Sequence, residues 1–332
     1  MAKCDGHEHM ILIPSCSSEI IGTDMMQLAR KASAMYSVDV IPVLADSRFL
    51  SSKFGGIYGL MDSLICRMRP REIEKGTVNL IARGFFGSAR DIPRQVMDDM
   101  FSMFGLKVRT RFLDFCSLED IEGFCDSEYD IQMADTMLDD RICERISEVT
   151  GRRRALLLEQ PTGLCECIEW AERLANYIGT PRTELQRIVQ TLRSEFDAII
   201  EEFKPVFSGK SVVVFCIRHR DLTWQIETMR ALGMDILKVM YLDSTIDDNT
   251  EPPAPIPGVE TVTGAKVCDL REFASTNRID VVVTNDAYRV GRTGLCWTAL
   301  DSRYPGLYGV RFWLQTMRDC MLIGKGTWEE GL

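Results

Sequence analysis

Histidine is scarce in this 332-residue chain, long apolar runs are missing, and positive charge is in the minority. Each shortage closes a class of function. Lys and Arg number 39 against 49 Asp and Glu, a net charge of −10. Nucleic acids and anionic membranes are bound through basic patches, so neither is expected as a partner. No apolar stretch approaches the ~20 residues of a membrane span. The N-terminus, Met1 to His9, carries acids early and lacks a signal-peptide core, so a cytoplasmic protein is expected. The twelve cysteines are then reduced thiols rather than disulfides. Of three histidines, His7 and His9 sit beside Cys4 near the terminus, in a spacing that fits no closed zinc pattern. His219 alone lies within the folded part, at the end of a strand, and no Ser-His-Asp set is available. No Gly-x-Gly-x-x-Gly follows a strand. Gly209-Lys210-Ser211 lacks the upstream glycine of a phosphate loop and precedes a strand, so nucleotide binding is not indicated.

What is present is an alternation. Short apolar or β-branched runs at 10–14, 38–44, 77–83, 106–113, 129–134, 154–159, 211–217, 236–242 and 279–284 read as strands. Helical patterns separate them, from 91 onward and at 139–149, 163–178, 183–203, 221–232, 269–277 and 309–323. Residues 243–257 and 288–305 read as loops. Strands alternating with helices predict an α/β protein with parallel sheets flanked by helices. The length suits about two domains with sizeable cores. Arg69-Pro70-Arg71-Glu72 breaks the chain once, and Gly209-Lys210 opens a later region. Cys66, Cys116, Cys125, Cys143, Cys216, Cys268 and Cys320 fall inside apolar patterns and read as small buried hydrophobes.

The stretch that stands apart is early. The strand 10–14 stops at Pro14 and runs into Ser15-Cys16-Ser17-Ser18-Glu19-Ile20-Ile21-Gly22-Thr23-Asp24. The pattern places a helix start behind Ser17 or Ser18, whose partial positive charge favours a thiolate at Cys16. Cys16 is then a reactive or metal-bound thiolate, or a small residue that fits. Further on, Gly55-Gly56 opens a helix. The pair allows close backbone approach to a ligand, or else a turn with tight helix–strand packing.

These residues carry a resemblance. The segment 11–24 resembles the part of nitrogenase component 1 proteins that bears a cluster-ligating cysteine before Ile-Gly-Asp-Asp. That family includes nitrogenase α and β chains, their cofactor-assembly scaffolds, light-independent protochlorophyllide reductases and a nickel-tetrapyrrole reductive cyclase. Val40-Ile41-Pro42-Val43, Phe49-Leu50-Ser51-Ser52 with Gly55-Gly56, Asp114 to Ile121, Gln160-Pro161-Thr162-Gly163, Gly209-Lys210-Ser211-Val212, Asp280 to Asn285 and Tyr308-Gly309 are similar to successive motifs of that family. The resemblance implies consecutive Rossmann-like domains with an incomplete first one. Residues 1–74 correspond to a remnant of the first domain, 75–207 to the second and 208–305 to the third. Residues 306–332 would form a C-terminal helix packing back on the first.

The departures are as informative. Family members carry further chain upstream, with a Gly-Cys motif and a second cysteine, and of the cluster ligands only Cys16 is matched here. Gly22, Gly55 and Gly56 are the accompanying cofactor-side positions. Where a nitrogenase α chain anchors its large cofactor by a cysteine, this chain has Asp135. Where that chain has a cofactor-ligating histidine, the matching position is Cys296, followed by Trp297. Cys296 either ligates iron or fills the pocket. The resemblance implies an iron–sulfur cluster of the 4Fe–4S kind, shared between chains, because one cysteine is short of the usual four ligands. Cys4 joins Cys16 and Cys296 as a candidate metal ligand. It implies an oxidoreductase subunit, paired with a homologous second subunit or with its own copy. An ATP-dependent iron protein would supply electrons for an unidentified substrate, tetrapyrrole-like or other, in an interdomain cleft. Asp135 and Arg289 are the catalytic candidates, for acid/base and anion-binding work. The alternative is a non-catalytic metallocluster scaffold or shortened partner subunit.

Overall fold

A computed structural model describes residues 8–15, 21–44, 55–81, 91–112, 114, 116–134, 136–217, 221–242, 256–302 and 304–324. The chain divides into two units, residues 1–89 with 101–159, and residues 90–100 with 160–332.

The first unit holds two parallel sheets. β1 (His9–Leu12) leads through α1 (Met25–Tyr36) to β2 (Asp39–Pro42), and the two strands pair in parallel with Ile11 beside Ile41. α2 (Gly55–Ile65) then crosses to β3 (Glu74–Ile81). After α3 (Asp91–Ser102), whose early part belongs to the second unit, come β4 (Lys107–Phe112), the short α4 (Leu118–Glu122), β5 (Ser127–Gln132), α5 (Met137–Thr150) and β6 (Leu156–Leu157). The second sheet runs β4-β3-β5-β6, all parallel. Its core gathers Met61, Leu64 and Ile65 of α2, Phe112, Phe124, and Ile142 and Ile146 of α5 around Ile41 and Ile81.

A buried polar network sits inside this unit. Asn79 of β3 donates to Asp130 of β5 at 2.8 Å and to the Phe124 carbonyl at 2.7 Å. Arg152 donates to the other Asp130 oxygen at 2.6 Å and to the Cys125 carbonyl at 3.0 Å. Burial pushes the Asp130 carboxyl up, and its bonds to Arg152 and Asn79 pull it back only in part.

The second unit holds the third sheet. α6 (Gly163–Ile178) and α7 (Arg182–Phe207) precede β7 (Ser211–Ile217), α8 (Thr223–Ala231), β8 (Asp235–Leu242), β9 (Thr261–Ala265) and α9 (Val267–Thr276). β10 (Val281–Thr284), α10 (Ala287–Gly291), β11 (Trp297–Ala299) and α11 (Gly306–Ile323) follow. The order is β11-β10-β7-β8-β9, again all parallel. β7 lies at the centre with Val212 to Cys216 fully buried, as a strand covered on both faces must be.

β9 and β11 lie where loop or no element was expected; both are short, and their pairing comes from neighbours rather than from a run of their own. The long helices α6 and α7 fall in the same unit as the third sheet. The closing helix packs on α6, α7 and β11 of its own unit. Its stripe Val310, Trp313, Leu314 and Met317 is buried there, and Trp313 Nε1 donates to the Ala299 carbonyl at 2.7 Å. Lastly, Cys125, Cys143, Cys216 and Cys320 are buried as expected, but Cys66 and Cys268 are exposed. Cys66 falls just past the end of α2, and Cys268 lies in the first turn of α9, where apolar neighbours in sequence do not imply an inward face.

At the start of α6 the backbone needs glycine. Gly163 has φ +82°, and a Cβ there would stand 2.4 Å from the Trp224 Cβ. The Trp224 ring in turn meets Trp313 edge to face at 5.1 Å. Gly163→Ala combines left-handed strain with this clash and is expected to cost upwards of about 2 kcal/mol. Urea unfolding of the variant checks it: the midpoint drops with the slope unchanged.

Candidate functional site

In open parallel sheets, ligands collect outside the carboxyl ends of strands, where the strand order reverses direction. Both larger sheets have such a point. In the first unit β3 is followed by β4 on one side and β5 on the other, so the reversal lies between β3 and β5. Met133 N–H bonds the Ile81 carbonyl at 3.0 Å across it. Buried Gln132 holds the loop beyond β5, donating to the Ala134 carbonyl at 2.8 Å and to Asp140 at 3.1 Å. Thr136 then caps α5 through the Asp139 N–H at 3.2 Å. Asp135 itself lies outside the described residues, but Ala134 and Thr136 on either side of it are held in this frame at the carboxyl edge.

In the second unit the reversal lies between β7 and β10. Buried Thr284 ends β10, and its hydroxyl accepts the Asp286 N–H at 2.9 Å. Asp286 caps α10 by accepting the Arg289 N–H at 3.1 Å, and it also accepts the Arg289 guanidinium at 3.0 Å. The Arg289 side chain remains half exposed. Its guanidinium is therefore held at the carboxyl edge with its charge partly matched by Asp286. His219 lies outside the described residues.

Cys296 is placed differently. Val282 of β10 pairs with Trp297 of β11, and the Val282 N–H bonds the Cys296 carbonyl at 2.9 Å. Cys296 thus precedes its strand, at the amino edge, whereas Arg289 follows β10 at the carboxyl edge. Three strand residues separate the two levels, about 10 Å at strand rise. Burial pushes the Cys296 thiol up to about 11, with Cys320 adding to it, so the protonated form dominates at neutral pH. The amino edge is a structural one. Asp280 accepts the Ser211 N–H at 2.9 Å and its hydroxyl at 3.0 Å, and Arg278 at 3.0 Å.

Cys4 and Cys16 lie outside the described residues. Cys16 follows β1 by four positions, beyond that strand's carboxyl end. The helix described in this segment is α1. It begins at Met25, with Asp24 accepting the Gln27 N–H at 2.9 Å, rather than directly behind Ser17 or Ser18. Gly22 turns the chain before it with φ +72° and open space where a Cβ would sit. Gly55 and Gly56 form the first residues of α2. The close approach sequence reading missed is at Gly59, where a Cβ would meet the Leu44 carbonyl at 2.8 Å and Val43 at 3.3 Å. That glycine lets α2 lie on β2, a packing role rather than a ligand one.

A sequence model described as nitrogenase component 1 type oxidoreductase matches residues 1–293. The chain belongs to the nitrogenase component 1 type oxidoreductase family. Among solved structures, nitrogenase Cp1 at pH 6.5 is similar with TM-score 0.61 and 12% identity, over 95% of this chain and 72% of that one. Nitrogenase Cp1 at pH 5 gives TM-score 0.60 and 13% identity, over 95% and 71%. At these identities the likeness shows the shared fold. No curated protein matches the chain. Nitrogenase component 1 type proteins generally bind metal–sulfur clusters. Among the described residues of this member, no group of three His, Cys, Asp or Glu side chains is arranged to hold a metal ion. The described part does not fit a cluster by itself. Nor does any described helix have the length and apolarity to cross a membrane.

Asp280 offers a check on the frame. Its burial raises the carboxyl, but the Ser211 and Arg278 bonds outweigh this and hold it below 3.8. A lowered carboxyl stabilises the fold above its unfolded value and loses that contribution as pH falls through the folded one. Asp280→Asn is expected to cost about 1.5–3 kcal/mol at pH 7, the range for hydrogen bonds to a charged group. The difference from wild type should shrink below pH 3.8 in urea titrations at the two pH values.

Proposed function

We propose that this chain is a subunit of a nitrogenase component 1 type reductase. The observation that carries the reading is the family match over residues 1–293, which includes Cys16 just beyond the carboxyl end of β1. In this reading Cys16 is one thiolate ligand of an iron–sulfur cluster, of the 4Fe–4S kind, and a partner chain supplies the others. Cys4 is a further candidate. Cys296 is left out of this reading because it stands at the amino edge of its sheet. Electrons come from an ATP-dependent iron-protein partner, and the bound cluster supplies a one-electron relay. The chain's own residues at the carboxyl edges handle the substrate: Asp135 as a proton donor or acceptor, and Arg289 as an anion-binding group whose charge Asp286 tempers. A conjugated tetrapyrrole suits one-electron steps coupled to proton delivery and is the substrate class to try first.

A second reading fits the same family match. It makes the chain a metallocluster scaffold or shortened partner subunit without turnover.

Anaerobic co-expression with neighbouring genes separates these readings. Wild type is expected to carry iron and acid-labile sulfide and to show a paramagnetic signal on reduction. Cys16→Ala should lose most of both. Iron-free wild type under these conditions would sink the redox reading. A cluster with no substrate-dependent oxidation would favour the scaffold.

A further inference from the structure

Cys296 is half-buried just before β11, and the reductase reading leaves it without a role. The strand sets which way it faces. Trp297, the next residue, packs with Leu270 of α9 and Val290 of α10. Side chains alternate along a strand, so Cys296 and Thr298 face the opposite side of the sheet. The Cys296 carbonyl still takes a ladder hydrogen bond from Val282, which keeps it within that alternation.

That opposite side is covered by α11. The helix starts at the carboxyl edge. The Gly306 N–H donates to the Pro161 carbonyl at 2.7 Å, and Gly163 lies against Trp224 in the first turn of α8, just beyond β7. From there α11 runs back along β11, with Trp313 Nε1 on the Ala299 carbonyl. Its buried stripe ends in Cys320, two turns past Trp313. Seven helical residues rise about 10.5 Å. Three strand residues, from Ala299 back to Cys296, span about 10 Å. The two displacements match, so Cys320 reaches the level of Cys296 at the amino edge of the sheet.

The electrostatics agree with this placement. Among the described residues, Cys320 is the one titratable group that acts on the Cys296 thiol, adding to the effect of burial. Access to the two thiols differs. Cys296 is partly open to solvent, whereas Cys320 is 2% exposed. A solute can therefore meet the first, and the second meets only its neighbours. The other close pair in this unit is unlike them: Cys165 and Cys167 stand two apart on α6 and leave the helix in different directions.

We propose that Cys296 and Cys320 form a dithiol that a low-molecular-weight disulfide, such as glutathione disulfide, oxidises to an intramolecular disulfide, tying α11 to the edge strand β11. The Cys296 thiolate attacks one sulfur of the small disulfide and releases one small thiolate. Cys320, deprotonated in turn, attacks the Cys296 sulfur of the mixed disulfide, and the second small thiolate leaves. The two cysteine protons end on the two released thiols. The protein loses two electrons, and the small disulfide gains them. Only the first step needs access from solvent, which Cys296 has. The second is intramolecular, which suits a buried Cys320. β11 has three residues and is held at its far end by Trp313, so the new bond fixes its near end. A bond closing this loop restricts the unfolded chain and so stabilises the fold. The proposal does not rest on the reductase reading, and it gives Cys296 a protein partner in place of iron.

The test uses the full chain, first reduced, then incubated with glutathione disulfide at about pH 8.5, where more of the thiol is ionised than at neutral pH. Remaining thiols are blocked before digestion. Trypsin parts the two cysteines, leaving one in peptide 293–303 and the other in peptide 319–325. Mass spectrometry without reductant is expected to find these two peptides linked, and dithiothreitol to release them. The urea midpoint of the oxidised chain should lie above that of the reduced chain, and this rise should vanish in Cys296→Ser. Cys296 is only half-buried, so that variant folds, which circular dichroism checks, and it keeps every other cysteine. Glutathione left on Cys296 without the link, a link from Cys296 to another cysteine, a midpoint that does not rise, or a rise that persists in Cys296→Ser would each overturn the proposal.

Discussion

Parallel strands must be covered on both faces and answered along their edges, because their backbone groups and mostly apolar side chains have no other partners. The third sheet meets this demand fully. β7 is buried from Val212 to Cys216, flanked by β8 and β10, and held at its amino end by the Asp280 contacts. The β4-β3-β5-β6 sheet meets it with a charged edge and a two-residue edge. In the small sheet, Ser33 and Ser63 meet it along the outer edge of β2.

The same constraint arranges the chemistry. Parallel topology leaves loops at carboxyl edges free to vary, and the reversals of strand order open a gap there. The segments carrying Cys16, Asp135 and Arg289 all leave their strands at that edge. Cys296 does not. It stands seven positions after Arg289 in sequence, yet the helix α10 between them returns the chain to the amino end of the sheet. A candidate read from its match to a family position is thereby set apart from Arg289 of the same sheet by strand register alone.

Much of this was legible beforehand. β3, β5, β7, β8 and β10 announce themselves as apolar, β-branched runs, and α6 and α7 as long amphipathic patterns, because burial on one or both faces writes a period into the chain. β9 and β11 do not, since Thr-Val-Thr-Gly-Ala and Trp-Thr-Ala are too short to carry a period. Glycines show a similar limit. Gly55-Gly56 drew notice as a pair, but contact with the Leu44 carbonyl makes Gly59 the one that a side chain would disturb.

The amino-acid sequence by itself determined the α/β class, the parallel arrangement, the family and the position of Cys16 directly after a strand. Those properties follow from local patterning and from motifs contiguous in the chain. Tertiary structure alone decided that the long helices join the third sheet, that the closing helix buries Trp313 against β11, that Arg289 and Cys296 occupy opposite edges, and that Ser33 and Ser63 seal the edge of β2. Each of these depends on register and packing between segments far apart in sequence, which no local pattern encodes.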